Sequence, residues 1–229
     1  MLAVALIAVS IVGGGDDNEA SGGAATTGST TGTQAPPKLD TTALEAIAGV
    51  PQAGLVLGNP NARAVIVEYA DLQCPFCAQF SRTTLPELVD KWVRPGKATI
   101  EFRGLAALGP DSTTALRFVL AAAERDKAWS AVELLYGNQG EENSGWVTDA
   151  LLRAVATELD LDPAAMVAAA HGTRYDAVIE EMRTAAEADG VDGTPFFLVG
   201  RRGGTTVPVA KGAVAASAFD QALGIVTEP

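Results

Sequence analysis

The sequence predicts an α/β protein in which a block of helices interrupts a small sheet. Three observations carry this. A strand, a helix and a second strand open the folded region around two closely spaced cysteines. From Asp111 to Ala188 nearly every segment has helical period and no strand signal appears. After that block two short strand-like runs and a final helix close the chain.

Ahead of the folded region, Leu2 to Val12 (LAVALIAVSIV) is apolar with only Ser10 interrupting it. It is too short to span a bilayer, which needs roughly 20 residues. Its length suits the apolar part of a signal peptide, although no positive charge precedes it. Residues 1–12 are read as a remnant of an export signal or membrane anchor. Residues 13–37 (GGGDDNEASGGAATTGSTTGTQAPP) hold almost nothing to bury and are read as a flexible linker. An apolar segment, a tether and then a domain is the layout of a protein held outside the membrane or secreted.

Residues 38–229 read as the folded part. LDTTALEAIAG predicts a short helix begun by Asp40 or Thr41 and stopped at Gly49. Ala64 to Tyr69 is a β-branched and apolar run that predicts a buried strand ending close to the cysteines. PFCAQFSRTTLPELVDKWV has helical spacing at Phe76, Phe80, Leu88 and Trp92, with Pro86 expected to bend or break the helix. Ala98 to Leu105 predicts a second strand. Strand, helix, strand is the unit of a parallel pair with a right-handed crossover.

Five helix candidates follow: DSTTALRFVLAAAERD, KAWSAVELLYGN, TDALLRAVATELDL, DPAAMVAAAH and TRYDAVIEEMRTAAEADG. They define a helical insert at about 109–189, several of its segments preceded by capping Asp or Thr. TPFFLVG and TTVPVA then return to strand character, and AVAASAFDQALGIV closes with a helix.

Composition narrows function. The chain has 229 residues, 48% of them hydrophobic, with 28 acidic and 16 basic side chains for a formal charge of −12. The basic residues are scattered, so nucleic acid is not an expected partner. A core of this size has no need of a disulfide two residues apart, because so short a loop removes little entropy from the unfolded chain.

Cys74 and Cys77 are the only cysteines. Cys74 falls where the first strand gives way to a helix, with Pro75 suited to the first helical turn. Unpaired N–H groups and the positive end of the helix dipole favour a thiolate there. A lowered thiol pKa makes a nucleophile and a good leaving group, the two properties that thiol–disulfide exchange requires. Cys77, one turn on, lies on the same face. Cys74 is expected to be the exposed attacking sulfur and Cys77 its more buried partner.

Rival chemistries fit less well. A closed zinc site needs four ligands, and two cysteines with the single distant His171 do not supply them. Two thiolates do suit copper(I), which keeps a copper-binding thiol chaperone as an alternative, although Met166 and Met182 lie far from Cys74 in sequence. A Cys–His hydrolase would need His171 to reach Cys74, and His171 is read instead as a solvated residue at a helix end. A binding module without redox activity is disfavoured by the presence of both cysteines. Asp71 is read as a turn residue, and Trp92, Trp129 and Trp146 as packing residues or groove lining.

Taken in order and spacing, LGNPNA, CPFC, NQGEENSG and GVDGTPFFLVG resemble the DsbA-like branch of the thioredoxin superfamily over most of Leu55 to Val226. The resemblance implies a thioredoxin fold with an inserted all-helical domain, acting as a protein disulfide oxidoreductase with no organic cofactor and no metal. It implies that Glu68, six residues before Cys74, is a buried acid serving the inner cysteine. It implies that Thr194 and Pro195 form a cis-proline loop whose backbone pairs with substrate, beside Pro75 and Phe76. The strongest oxidases of that family carry histidine where Phe76 stands, so a weaker oxidant is expected, with a reductase of the same fold as the alternative. Phe76, between the cysteines, is expected to be exposed and to offer apolar contact to clients. Exported protein thiols are the expected substrates, with a membrane redox partner left open. The space ahead of the domain is a linker rather than a dimerisation domain, so a monomer is expected.

Overall fold

A computed structural model describes residues 37–228; the segments read above as signal or anchor, and nearly all of the linker, lie outside the described residues. The described chain begins with a single helical turn, α1 (Leu44–Ile47). Asp40 Oδ1 accepts hydrogen bonds from the backbone and hydroxyl of Thr42 ahead of it. Two strands of two residues each follow, β1 (Gln52–Ala53) and β2 (Val56–Leu57). Neither was legible in the sequence, because two residues establish no alternation.

β3 (Ala64–Asp71) runs two residues beyond the predicted strand and leads directly to the cysteines. α2 (Pro75–Thr83) begins at Cys74 and stops at Thr84. α3 (Leu85–Leu88) follows and passes into a π-type turn at Val89–Val93. The interruption falls ahead of Pro86, whose ring lacks an N–H and clashes with the preceding turn. β4 (Ala98–Leu105) completes the crossover and pairs parallel with β3, Ala64 opposite Ala98 and Asp71 opposite Leu105.

Between β4 and the next strand lie α4 (Pro110–Ala123), α5 (Ala128–Gly137), α6 (Asp149–Glu158), α7 (Pro163–His171) and α8 (Asp176–Ala188). Thr148 and Asp162 cap α6 and α7 through their side chains. β5 (Phe196–Arg201) is antiparallel to β3, and β6 (Thr206–Lys211) is antiparallel to β5. α9 (Ser217–Thr227) closes the domain. The sheet order is β1-β2-β4-β3-β5-β6, which puts β3, the strand that leads to the cysteines, inside. β6 tolerates Pro208 because it is an edge strand, with a bulge opposite Phe197 and Leu198.

Alternation along β3 divides the two faces. Ala64, Ile66 and Ala70 join the larger core with Phe80 of α2, Phe197 of β5 and Phe219 of α9. The Phe80 and Phe197 ring centroids are 4.4 Å apart, and Phe219 meets Phe197 edge-on at 5.1 Å. Val67 and Tyr69 point the other way, onto Ala186 of α8. The larger core continues without a break into the helical block through Leu116, Trp129, Leu135 and Leu152. The inserted helices therefore share the core of the sheet, and α5 packs directly on α2 behind the cysteines.

Candidate active site

The site is assembled where β3 ends. Asp71, the last residue of that strand, is fully buried. Its Oδ1 accepts hydrogen bonds from the Gln73 backbone (2.9 Å) and the Ser112 hydroxyl (2.6 Å), and its Oδ2 from the backbones of Ala107 (2.8 Å) and Leu108 (3.1 Å). Its carbonyl accepts the Cys74 N–H at 3.0 Å and the Tyr136 hydroxyl at 3.2 Å. One carboxylate thus ties the loop before α2 to the N-terminus of α4. Asp71 is not the loop or turn residue that the sequence suggests; it is a buried hub of hydrogen bonds at a strand end.

A second clamp comes from the segment after α5. Gln139 Nε2 donates to the carbonyls of Leu72 (2.8 Å) and Cys74 (3.2 Å). The Asn143 backbone donates to Gln73 Oε1 at 2.7 Å, and Gln73 Nε2 donates to Ser112 at 3.0 Å. Gly109 turns with φ +132°, and a Cβ there would collide with the Asn143 side chain. The segment NQGEENSG, noted above only for its resemblance, is what holds Leu72 to Cys74 in place.

Cys74 caps α2 in an extended conformation (φ −70°, ψ 118°), and its carbonyl accepts the N–H groups of Cys77 (3.1 Å) and Ala78 (3.2 Å). Both thiols are free. Cys77 is wholly buried and Cys74 retains only 4% of its surface. The expectation of an openly exposed Cys74 is corrected: the sulfur lies beneath the surface, while Pro75 and Phe76 stand out of it, Phe76 with 58% exposed. Only the order of burial is as expected.

The two thiols are driven apart in acidity. The Cys77 thiol, donating to the Cys74 sulfur, is the largest influence lowering Cys74, and it outweighs burial. Donors from the Thr194 side chain and from the backbone of Cys77 and Phe76 add to it, bringing Cys74 down to about 6. Burial first, then the bond to Cys74 and the charges of Cys74 and Glu68, push Cys77 well above its ordinary value.

Beneath them Glu68 sits on the Ile66 and Ala70 face of β3, 2% exposed. Burial, then the charges of Glu133 and Cys74, raise its carboxyl to about 8. Pairing of Tyr69 with Phe196 brings the residue before β5 to the cysteine end of β3. Thr194–Pro195 is there, its peptide bond cis, with the Thr194 carbonyl 3.4 Å from Cys74 Sγ. Cys74, Cys77, Glu68, Thr194 and Pro195 therefore converge, with Pro75 and Phe76 at the rim. His171 does not join them: it ends α7, exposed, with Nε2 2.7 Å from Asp149 Oδ1.

Glu133 of α5 was missed in the sequence, as was Ser81 of α2, whose hydroxyl donates to Glu133 Oε2 at 2.8 Å. The available signal was one acid in the apolar run AWSAVELLYG.

Residues 51–208 match the sequence model of the thioredoxin family. A probable disulfide bond formation protein D of Bacillus cereus is 29% identical over 104 residues, 44% of this chain and 48% of that protein. The chain spans about half the length of the curated relatives it matches. Among solved structures, oxidised BdbD from Bacillus subtilis superposes with a TM-score of 0.68 at 19% identity, covering 79% of this chain and 98% of that one. A thioredoxin-like oxidoreductase from Silicibacter pomeroyi superposes with a TM-score of 0.59 at 27% identity, covering 74% and 90%.

Proposed function

Because this chain belongs to the thioredoxin family, in its DsbA-like branch, we propose that it is an extracytoplasmic protein thiol–disulfide oxidoreductase working through Cys74 and Cys77. The observation that carries the reading is a pair of free thiols one helical turn apart at the start of α2, Cys77 wholly buried and Cys74 Sγ 3.4 Å from the Thr194 carbonyl, with Cys74 held down to about 6 and Cys77 pushed up. Such a pair has one good leaving group and one sulfur that retains its proton.

In the oxidising direction a client thiolate attacks Cys74 Sγ and the Cys74–Cys77 bond breaks, its electron pair leaving on Cys77. Glu68, neutral below about pH 8, supplies the proton that Cys77 takes. A second client thiolate then attacks the client sulfur of the mixed disulfide and expels Cys74 as a thiolate. The client loses two electrons and the cysteine pair gains them, so no organic cofactor or metal enters. Thr194 and Pro195 receive the client main chain, while Pro75 and the exposed ring of Phe76 give it apolar contact.

Exported protein thiols are the fitting substrates, since disulfides persist outside the cytoplasm. Turnover requires an electron acceptor of higher potential, a role that suits a membrane redox partner, and the enzyme works as a monomer. Among the described residues no helix is long and apolar enough to cross a membrane.

The deciding experiment is the reduction potential of the pair, measured on the full chain in glutathione buffers with Cys74→Ser as control. A reversible two-electron couple lost in Cys74→Ser supports the reading. Its absence in the unaltered protein would sink it.

A further inference from the structure

A second buried carboxyl lies behind the cysteines. Glu133 is 1% exposed in the middle of α5, and while Ser81 donates to its Oε2, its Oε1 is buried without a hydrogen-bond partner among the described residues. A buried polar atom without a partner costs about 1 to 3 kcal/mol, so a position in an apolar helix that keeps one calls for a reason. Ser81 lies four residues after Cys77, one turn along the same helix. It also lines a surface cleft shared with Asp40, Glu45, Arg82, Asp90 and Arg94.

We propose that Glu133 is a positioning residue for proton delivery to Cys77, acting through Glu68, with Ser81 as its connection to solvent in that cleft. This deepens the thiol–disulfide reading above and rests on it. Three elements supply these groups: β3 carries Glu68, α2 carries Cys77 and Ser81, and α5, packed on α2, carries Glu133 bonded to Ser81 at 2.8 Å.

When the Cys74–Cys77 bond breaks and its electron pair goes to Cys77, the proton on Glu68 moves to that sulfur and Glu68 becomes a carboxylate. No hydrogen bond joins Glu133 to Glu68 among the described residues, so Glu133 acts on Glu68 through charge and exchanges its own proton with solvent through the Ser81 hydroxyl. Ionised Glu133 repels charge on Glu68, more strongly than the Cys74 thiolate does, and so keeps Glu68 protonated. The other titratable or charged groups around this pair are Cys74 and Arg82 on α2, Tyr136 on α5 and Asp71 at the end of β3. Glu45 of α1 stands across the cleft. α4 and α6, which also pack on α5, bury Leu116, Phe118, Leu152 and Val155.

The test is the rate at which dithiothreitol reduces the disulfide form of the full chain, followed against pH and corrected for the ionisation of the reagent. In the unaltered protein the corrected rate falls as Glu68 loses its proton near pH 8. Glu133→Gln removes the repelling charge, so Glu68 ionises earlier and that fall moves down by about one pH unit, about tenfold in rate on its falling side. In a Glu68→Gln background, Glu133→Gln adds nothing further. Ser81→Ala leaves Glu133 harder to ionise and moves the fall in the same direction by less, which decides the matter should Glu133→Gln not fold. Superimposed profiles, one constant factor at every pH, or an effect that persists without Glu68 would overturn the proposal while leaving the oxidoreductase reading intact. Failure of the unaltered chain to form a reversible disulfide would remove both.

Discussion

Thr194 addresses Cys74 with two groups of opposite effect. Its backbone carbonyl stands 3.4 Å from Cys74 Sγ and accepts the thiol hydrogen, which favours the protonated sulfur. Its side chain lowers the Cys74 pKa and favours the thiolate. A loop 120 residues away in sequence thus bears on both protonation states of one atom.

The side chain of Thr194 is separable from its carbonyl. Thr194→Val keeps shape and backbone but removes a donor to the thiolate. Cys74 is expected to titrate above its present value of about 6, yet below an ordinary thiol, because the larger contribution from Cys77 remains. Thiolate absorbance followed against pH measures this, with Cys74→Ser as the blank. An unchanged midpoint would show that the hydroxyl does not reach the sulfur.

The two buried carboxyls set how stability depends on pH. Glu68 and Glu133 titrate at about 8 in the folded protein, both chiefly through burial, against an ordinary 4.5 in the unfolded chain. Between these values the folded state holds protons that the unfolded state has released, so stability declines as pH rises from about 4.5 to about 8, by several kcal/mol in all. Cys74 opposes this when reduced, adding stability as pH rises from about 6 toward 9. The disulfide form removes that contribution. Its urea midpoint is expected to fall between pH 5 and pH 8, and Glu68→Gln and Glu133→Gln should each flatten the slope. A midpoint that rises over this interval would mean the carboxyls are ionised in the fold.

Most elements were legible because their signals are local. The β3 run, the Pro86 break, the five inserted helices and the cysteine-bearing helix start each follow from a few neighbouring residues. β1 and β2 were not legible, since two-residue strands exist only by pairing with each other and with β4. The depth of Cys74 was misjudged for a related reason. A residue at a helix start is exposed by default, and nothing near it in sequence says that Gln139, Asn143 and Thr194 arrive from far along the chain. Glu133 left a signal that went unused, an acid among apolar helix neighbours.

Asp71 offers a test of how the loop before Cys74 is held. Four donors converge on its carboxylate, three of them backbone or hydroxyl groups from the β4–α4 region. Asp71→Ala leaves these buried donors unpaired, at a cost of roughly 3 kcal/mol or more. Asp71→Asn keeps an acceptor and should lose less. Urea denaturation compares the two. Exchange activity should fall in Asp71→Ala even where the fold persists, because Cys74 then loses its fixed place against Thr194. A variant as stable as the parent would show that solvent replaces the carboxylate without penalty.

Phe76→His tests what sets the strength of the couple. Lowering the Cys74 pKa stabilises the reduced state, and a disulfide whose reduced form is stabilised is the stronger oxidant. A thiol near 3.5 accompanies a potential of about −120 mV and one near 7 a potential of about −270 mV. With Cys74 at about 6, the potential of this pair is expected between those limits. Phe76 stands 58% exposed one residue before Cys77 and brings neither charge nor a donor to the neighbouring thiolate. Phe76→His places a donor there that becomes cationic in mildly acidic solution. The Cys74 pKa should drop and the potential should move toward the oxidising limit, both read from the same glutathione titration. If the potential stays put while the pKa falls, stability of the disulfide form rather than of the thiolate governs the couple. Phe76 would then matter only as a surface for clients.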